Sequence, residues 1–185
     1  DLEDLKNNLD DACAFIYTNP GGYFADQPMK EIYEICKCLV ILDASGGIGT
    51  DMCNGNFADF IICSFGKWKP VNAEYGGFIS SNKNFPDEKI VDEIDETKFE
   101  LIYNKLLNLN ERMTKLSNLR DKIKSDLKSY NILPGKGINI IITYNDNQER
   151  EKLIKYCADN KLEYTECPRY IRINKNAISI EVKRK

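Results

Sequence analysis

The sequence predicts an α/β fold in three parts: a mostly parallel sheet, a long linking helix, and a small C-terminal α+β domain. In the first half, short continuous apolar runs alternate with helically spaced ones, the pattern of parallel strands joined by crossovers. An apolar stripe at three- and four-residue spacing fills the middle of the chain, as an amphipathic helix requires. Beyond Leu133-Pro134-Gly135 the pattern changes to short strands around one helix.

The elements follow in order. Ala12 to Tyr17 is a continuous apolar run, read as a strand buried on both faces, and Thr18-Asn19-Pro20-Gly21-Gly22 is its turn. Met29, Ile32, Tyr33, Ile35 and Cys36 follow helical spacing, and Leu39 to Leu42 is a second strand closed by Asp43-Ala44-Ser45-Gly46-Gly47. Strand, turn, helix and strand make one crossover unit, with a junction at Cys36–Cys38 so tight that one boundary there is expected to be displaced. Phe57 to Cys63 and Gly76 to Ser80 give two more strands. From Asp95 to Tyr130 one long helix is expected, striped by Phe99, Ile102, Leu106, Leu109, Met113, Leu116, Ile123 and Leu127. Ile138 to Tyr144 is a strand, Asn147 to Asn160 a helix, and 170–173 with 177–182 a hairpin turning at Asn174-Lys175-Asn176.

Composition limits the chemistry. A chain of 185 residues is long enough to bury roughly 70% of its unfolded surface without staples. Its 42% hydrophobic and 30% charged residues exclude a disordered or fibrous chain, and no apolar run reaches membrane-span length. The net charge of −3 gives no global basic field, so nucleic acid is not an expected partner. Histidine is absent, which removes His general bases, Ser-His and Cys-His nucleophile pairs and the commonest zinc ligand. The seven cysteines, at 13, 36, 38, 53, 63, 157 and 167, are odd in number and read as reduced core thiols of a cytoplasmic protein. Cys36 and Cys38 could supply half a metal site, but no second close pair completes it, so no metal is expected. The chain opens on Asp1 without a signal-like stretch, which reads as a processed chain or a piece of a longer one.

In an open parallel sheet, ligands bind beyond the carboxyl ends of the strands, where loops converge. Those ends carry Asn19, then Asp43 followed by Ser45, then Ser64 with Lys67 and Lys69. Singly, each has a plain explanation as turn former, cap or surface charge. Together they are the parts of a pyridoxal phosphate (PLP) site: a lysine to form a Schiff base with the aldehyde, a carboxylate to keep the pyridine nitrogen protonated, and Asn or Ser donors for the phenolic oxygen and phosphate.

The run Leu39 to Gly49, with Asp43-Ala44-Ser45-Gly46-Gly47, followed by Ala58 to Ile79, with Ser64-Phe65-Gly66-Lys67-Trp68-Lys69 and Gly76-Gly77, resembles the aspartate-to-lysine core of fold-type I PLP enzymes, the aspartate aminotransferase superfamily. The Ser-Phe pair, a lysine five beyond the serine and the closing Gly-Gly are similar to DegT-type sugar aminotransferases and choose Lys69. The commoner superfamily pattern, Ser-x-x-Lys with a glycine ten residues on, chooses Lys67; Lys69 is preferred because the Gly-Gly spacing supports it. The resemblance implies that Asn19 contacts the phenolic oxygen, that Ser45 and Ser64 help bind cofactor, and that Arg172, in a strand similar to the C-terminal Arg-Ile strand of aminotransferases, holds the substrate α-carboxylate. A guanidinium fork suits that task.

On this reading 1–94 is the C-terminal portion of a PLP-binding large domain, 95–133 a linking helix and 134–185 the small domain. The expected function is aminotransferase-like, on a small amino-group substrate. Only 42 residues precede Asp43, so the phosphate-cradling turn and ring-stacking side chain of the family are expected from a companion N-terminal segment, with a homodimer as the usual assembly. Two alternatives remain open: a non-catalytic remnant of the fold used for binding or dimerisation, and a carbon-sulfur lyase or tRNA-dependent selenocysteine or cysteine synthase. The charged run Glu181 to Lys185 is the feature hinting at RNA, though such a terminus is usually solvated.

Overall fold

The structure, a computed structural model, describes residues 2–18, 22, 27–84, 95–169 and 173–185. The chain divides into two compact units, one made of Asp1–Thr18 with Gln27–Leu109, the other of Asn19–Asp26 with Asn110–Lys185.

The first unit begins with a short helix α1 (Leu2–Asn7), strand β1 (Ala14–Thr18), helix α2 (Met29–Ile35) and strand β2 (Leu39–Asp43). The boundary expected to be displaced at Cys36–Cys38 is not: the helix ends at Ile35 and the strand starts at Leu39, where the apolar run begins. Strands β3 (Phe60–Ser64) and β4 (Gly77–Ser81) complete a four-stranded sheet in the order β1-β2-β3-β4. The first three strands are parallel and β4 is antiparallel to β3.

Val40, Leu42, Ile61 and Cys63 are buried and alternate with half-buried neighbours, so one face carries the core. The expectation that β1 is buried on both faces is corrected: it forms an edge of the described sheet, and its Ile16 is 62% exposed. Cys13, read as a core thiol, is exposed; Cys36, Cys38 and Cys53 are half-buried, while Cys63, Cys157 and Cys167 are buried. All seven are free thiols.

Asp59 clamps β2 to β3 just ahead of the latter. Its amide donates to the Val40 carbonyl at 2.8 Å and its carboxylate accepts the Val40 amide at 2.8 Å. Lys83 Nζ lies 2.9 Å from the carboxylate and the Tyr33 hydroxyl donates to it at 3.3 Å. Burial works to raise the Asp59 pKa, but the Val40 amide and the Lys83 ammonium outweigh it and bring the carboxyl below its usual range.

The expected single helix over 95–130 is two helices, α3 (Phe99–Leu107) and α4 (Leu109–Asp126). They break at Asn108, whose backbone (φ −92, ψ 7) leaves the helical region while its side chain donates to the Asn104 carbonyl at 2.8 Å. Asparagine tolerates such a break because its amide can satisfy a terminal helix carbonyl.

The second unit holds an antiparallel sheet of β5 (Asn131–Ile132), β6 (Ile140–Thr143), β7 (Tyr164–Arg169) and β8 (Ile173–Ile180), in the order β5-β6-β8-β7. Helix α5 (Asn147–Asp159) turns Leu153 and Cys157 inward and is capped by Asp146, which accepts the Glu149 amide at 2.9 Å. The expected turn at Asn174-Lys175-Asn176 is corrected: these residues lie inside β8, because Cys167 pairs with Ala177 and Arg169 with Ile173. The charged C-terminal run is only partly solvated, Lys185 being exposed. Lys183 Nζ lies 3.8 Å from buried Glu181, Arg184 Nη1 lies 2.8 Å from Glu163, and the two basic side chains are 16% and 20% exposed.

Candidate functional site

Thr18 and Asp43, the last residues of β1 and β2, stand in register with each other and with Ile62, two residues before the end of β3. Ser64 then pairs with Gly77 at the start of β4, so the loop 65–76 rises from the same edge of the sheet. The topology thereby brings Asp43, Ser45, Ser64, Lys67 and Lys69 to one end of the first unit. Asn19 and Arg172 lie outside the described residues.

Asp43 is half-buried. Its Oδ1 accepts the Ser45 amide at 2.9 Å, and its carbonyl accepts the Thr18 hydroxyl at 3.2 Å. The buried Ser45 hydroxyl accepts the Ser64 amide at 2.8 Å, tying the loop after β2 to the end of β3. Ser64 is exposed and its hydroxyl accepts the Gly66 amide at 3.1 Å, which starts the following loop. Both serines thus shape the backbone around the lysines.

The loop itself is tightly determined. The Phe65 amide donates to the Gly76 carbonyl at 3.0 Å, and the Phe65 carbonyl accepts the Ala73 and Glu74 amides at 2.9 Å each. The Lys69 amide donates to the Gly66 carbonyl at 3.2 Å, and the Trp68 amide donates to the Asn72 side chain at 3.1 Å. Trp68, Asn72 and Glu74 adopt φ of 64°, 51° and 56°, each costing about 1 kcal/mol for a residue with a Cβ. Three such residues in one short loop make it the most strained described segment, a property that concentrates at functional sites. Gly77 is obligatory, since a Cβ there would collide with the Cys63 carbonyl oxygen, and Gly76 adopts a positive φ of 73°. The two glycines of the pair thus have separate structural reasons.

The two lysines differ in setting. Lys67 is exposed, with Nζ 5.3 Å from the centroid of the Trp68 ring, whereas Lys69 is half-buried. The buried Cys63 thiol is pushed up in pKa, first by its hydrogen bond to Cys53 and by burial. The Asp43 carboxylate raises it further and the Lys69 ammonium opposes this. A cavity of about 740 Å³ in this unit, lined by Leu5, Phe15, Tyr17 and Ile32 among others, includes none of the five site residues. Among the described residues no group of three or more potential ligands could hold a metal ion.

Residues 110–184 match the family model described as the MJ1341 family C-terminal domain. No curated protein matches the sequence. Among solved structures, the chain is similar to Sphingomonas wittichii serine palmitoyltransferase (14% identity, TM-score 0.68, covering 97% of this chain and 53% of that one). The chain shares the fold of about half of that enzyme. The S. paucimobilis serine palmitoyltransferase with PLP-myriocin bound is similar at 14% identity and TM-score 0.65, with 97% and 53% covered. Mouse CSAD in its apo form is similar at 12% identity and TM-score 0.63, with 99% and 52% covered. The chain spans about half the length of these solved structures. No helix among the described residues is long and apolar enough to cross a membrane.

A carboxylate and a lysine amine at one end of a parallel sheet are the donor types that PLP requires. Half-buried Asp43 ends β2, half-buried Lys69 lies in the loop after β3, and that loop is held by backbone bonds. The residues that would face a phosphate are not part of this set.

Proposed function

We propose that this chain is the C-terminal portion of a PLP-dependent enzyme, aminotransferase-like and acting on a small amino-group substrate. The observation that carries the reading is the placement of Asp43 at the end of β2 and of Lys69 in the loop that leaves β3 at the same end of the sheet. Asp43 would hold a proton on the cofactor's pyridine nitrogen, and Lys69 would bond its aldehyde carbon. Bound PLP supplies an electron sink for the pair left at the substrate α-carbon.

Lys69 is preferred over Lys67 because it is the less exposed of the two, whereas Lys67 reaches solvent over the Trp68 face. The Lys69 amine is then the group that takes and returns the proton at the substrate α-carbon. Ser45 and Ser64 hold the two loops in register around it, and the resemblance assigns Asn19 to the cofactor's phenolic oxygen and Arg172 to the substrate carboxylate. Exposed Ile16 and Leu39 on the first sheet, with exposed Leu107 on α3, favour a companion N-terminal segment or a second copy of the chain that covers them.

Borohydride reduction in the presence of PLP, followed by peptide mapping, tests the reading. The label is expected on Lys69, with Lys69→Ala losing at least about tenfold of it and Lys67→Ala keeping it. A protein containing both this chain and its companion segment that stays colourless and unlabelled supports the non-catalytic remnant instead.

A further inference from the structure

A buried acid that the proposed chemistry does not use sits at one end of the second unit's sheet. Ser179 near the end of β8, Glu181 just after it and Asn139 just before β6 are all buried, and the Glu181 side chain is wholly so. Its carboxylate accepts the Asn139 side-chain amide at 2.7 Å and the Ser179 hydroxyl at 3.1 Å, with Lys183 Nζ and Arg184 Nε each 3.8 Å away. Asn139 Oδ1 in turn accepts the Lys183 backbone amide at 3.2 Å. A carboxylate only accepts and a backbone amide only donates, so a side chain that does both must stand between them, and Asn139 is fixed in one orientation. Its own backbone amide donates to the Gly22 carbonyl at 2.9 Å.

Gly22 is fitted to that contact. It is buried with φ 82°, and a Cβ there would fall 2.9 Å from Lys183 Cδ and 3.1 Å from Asn139 Nδ2, so no other residue is accommodated without strain. In sequence Gly22 lies three positions after Asn19, and the stretch Asn19–Asp26 belongs with the second unit although β1 and α2 on either side belong to the first.

We propose that Asn139, oriented by Glu181, is a positioning residue for the candidate site: it fastens Gly22, and through Gly22 the stretch that carries Asn19. This rests on the reading above, in which Asn19 meets the cofactor's phenolic oxygen. Desolvating a carboxylate offsets much of what neighbouring cations return, so the network's contribution is orientation. A residue one step removed from the cofactor acts in this way, by limiting the positions open to the residue that touches it. Asn139→Asp would set two carboxylates against each other, and Gly22→Ala would press on Lys183. The two changes release the same hydrogen bond from opposite ends.

Hydrogen exchange on the whole chain without cofactor reads the bond directly. The backbone amide at position 139 is expected to exchange at least about tenfold faster in Gly22→Ala and in Asn139→Asp, with the Ile141 and Ile142 amides of β6 unchanged. Glu181→Gln, which keeps an acceptor for Asn139 Nδ2, is expected to stay within about threefold of wild type. Unchanged rates at 139, or a rise that Ile141 and Ile142 share, overturn the proposal. The role toward Asn19 is read by PLP titration in a protein that includes the companion segment. Gly22→Ala is expected to weaken binding about tenfold, but by less than about twofold when Asn19→Ala is already present, since the two act through one contact. The same loss in both backgrounds overturns it. A wild-type protein that binds no PLP sinks the proposed function and the role of Asn19, whereas the exchange rates still decide whether Asn139 fastens Gly22.

Discussion

Ile140, Ile141 and Ile142 follow one another along β6 and are all buried, as are Ile178 and Ile180 on β8 and Leu153 on α5. In the first unit Val40 and Leu42 are buried, but Ile16 and Ile79 on the outer strands are exposed, and Phe99, Tyr103 and Leu107 of α3 stand 50%, 61% and 63% exposed. Among the described residues of the second unit no large hydrophobic side chain is exposed. The first offers apolar surface outward, the condition of a surface meant to be covered. Its sheet is joined by polar means as well as by packing, through Asp59 between β2 and β3 and Ser45 between the two loop starts.

The largest effect is expected in the closed unit. Ile141 packs against Cys167, Ala177, Leu133 and Ile173, so Ile141→Ala should cost about 3 kcal/mol by urea denaturation, from lost transfer energy and the cavity left behind. A loss under about 1 kcal/mol would mean that this core is no tighter than the open one. A smaller effect is expected at the polar clamp. Asp59→Asn should cost about 2 kcal/mol, since the buried Val40 amide loses its charged acceptor.

The same clamp sets a pH dependence. A carboxyl whose folded pKa lies below its unfolded value contributes stability above the unfolded pKa, and that contribution fades as pH falls through the folded value. The wild-type chain should therefore lose stability in acid below about pH 4, and Asp59→Asn should flatten that limb; equal acid slopes in the two proteins would remove Asp59 from the account. The smallest effect is expected at Ile16. Ile16→Ser should change the stability of the isolated chain by less than about 0.5 kcal/mol, yet weaken any assembly that covers β1, measurable by sedimentation. Strong destabilisation of the monomer would show that this face is packed in solution.

Much of the first unit was legible in the sequence because its signals are local. Apolar runs bounded by Asp43-Ala44-Ser45 and by Ser64-Phe65 mark strand ends, and strand ends are where a parallel sheet assembles a site. The α3–α4 break was hidden because Leu106, Leu107 and Leu109 keep the stripe continuous across Asn108; an asparagine ending one apolar run was the available signal. The hairpin was misplaced because Asn174-Lys175-Asn176 has turn composition, while cross-strand register put it inside β8. Composition yields to pairing where a neighbouring strand satisfies the backbone. The Asp59 clamp depends on tertiary proximity, which spacing along a chain does not encode.

Trp68 is the chain's single tryptophan, and it sits between the two candidate lysines in the strained loop, its ring under the Lys67 ammonium. Its emission therefore belongs to one loop of one unit. Any chromophore that settles on this strand edge will quench an otherwise uncontested signal, so the molecule carries its own optical gauge of occupancy where occupancy matters most.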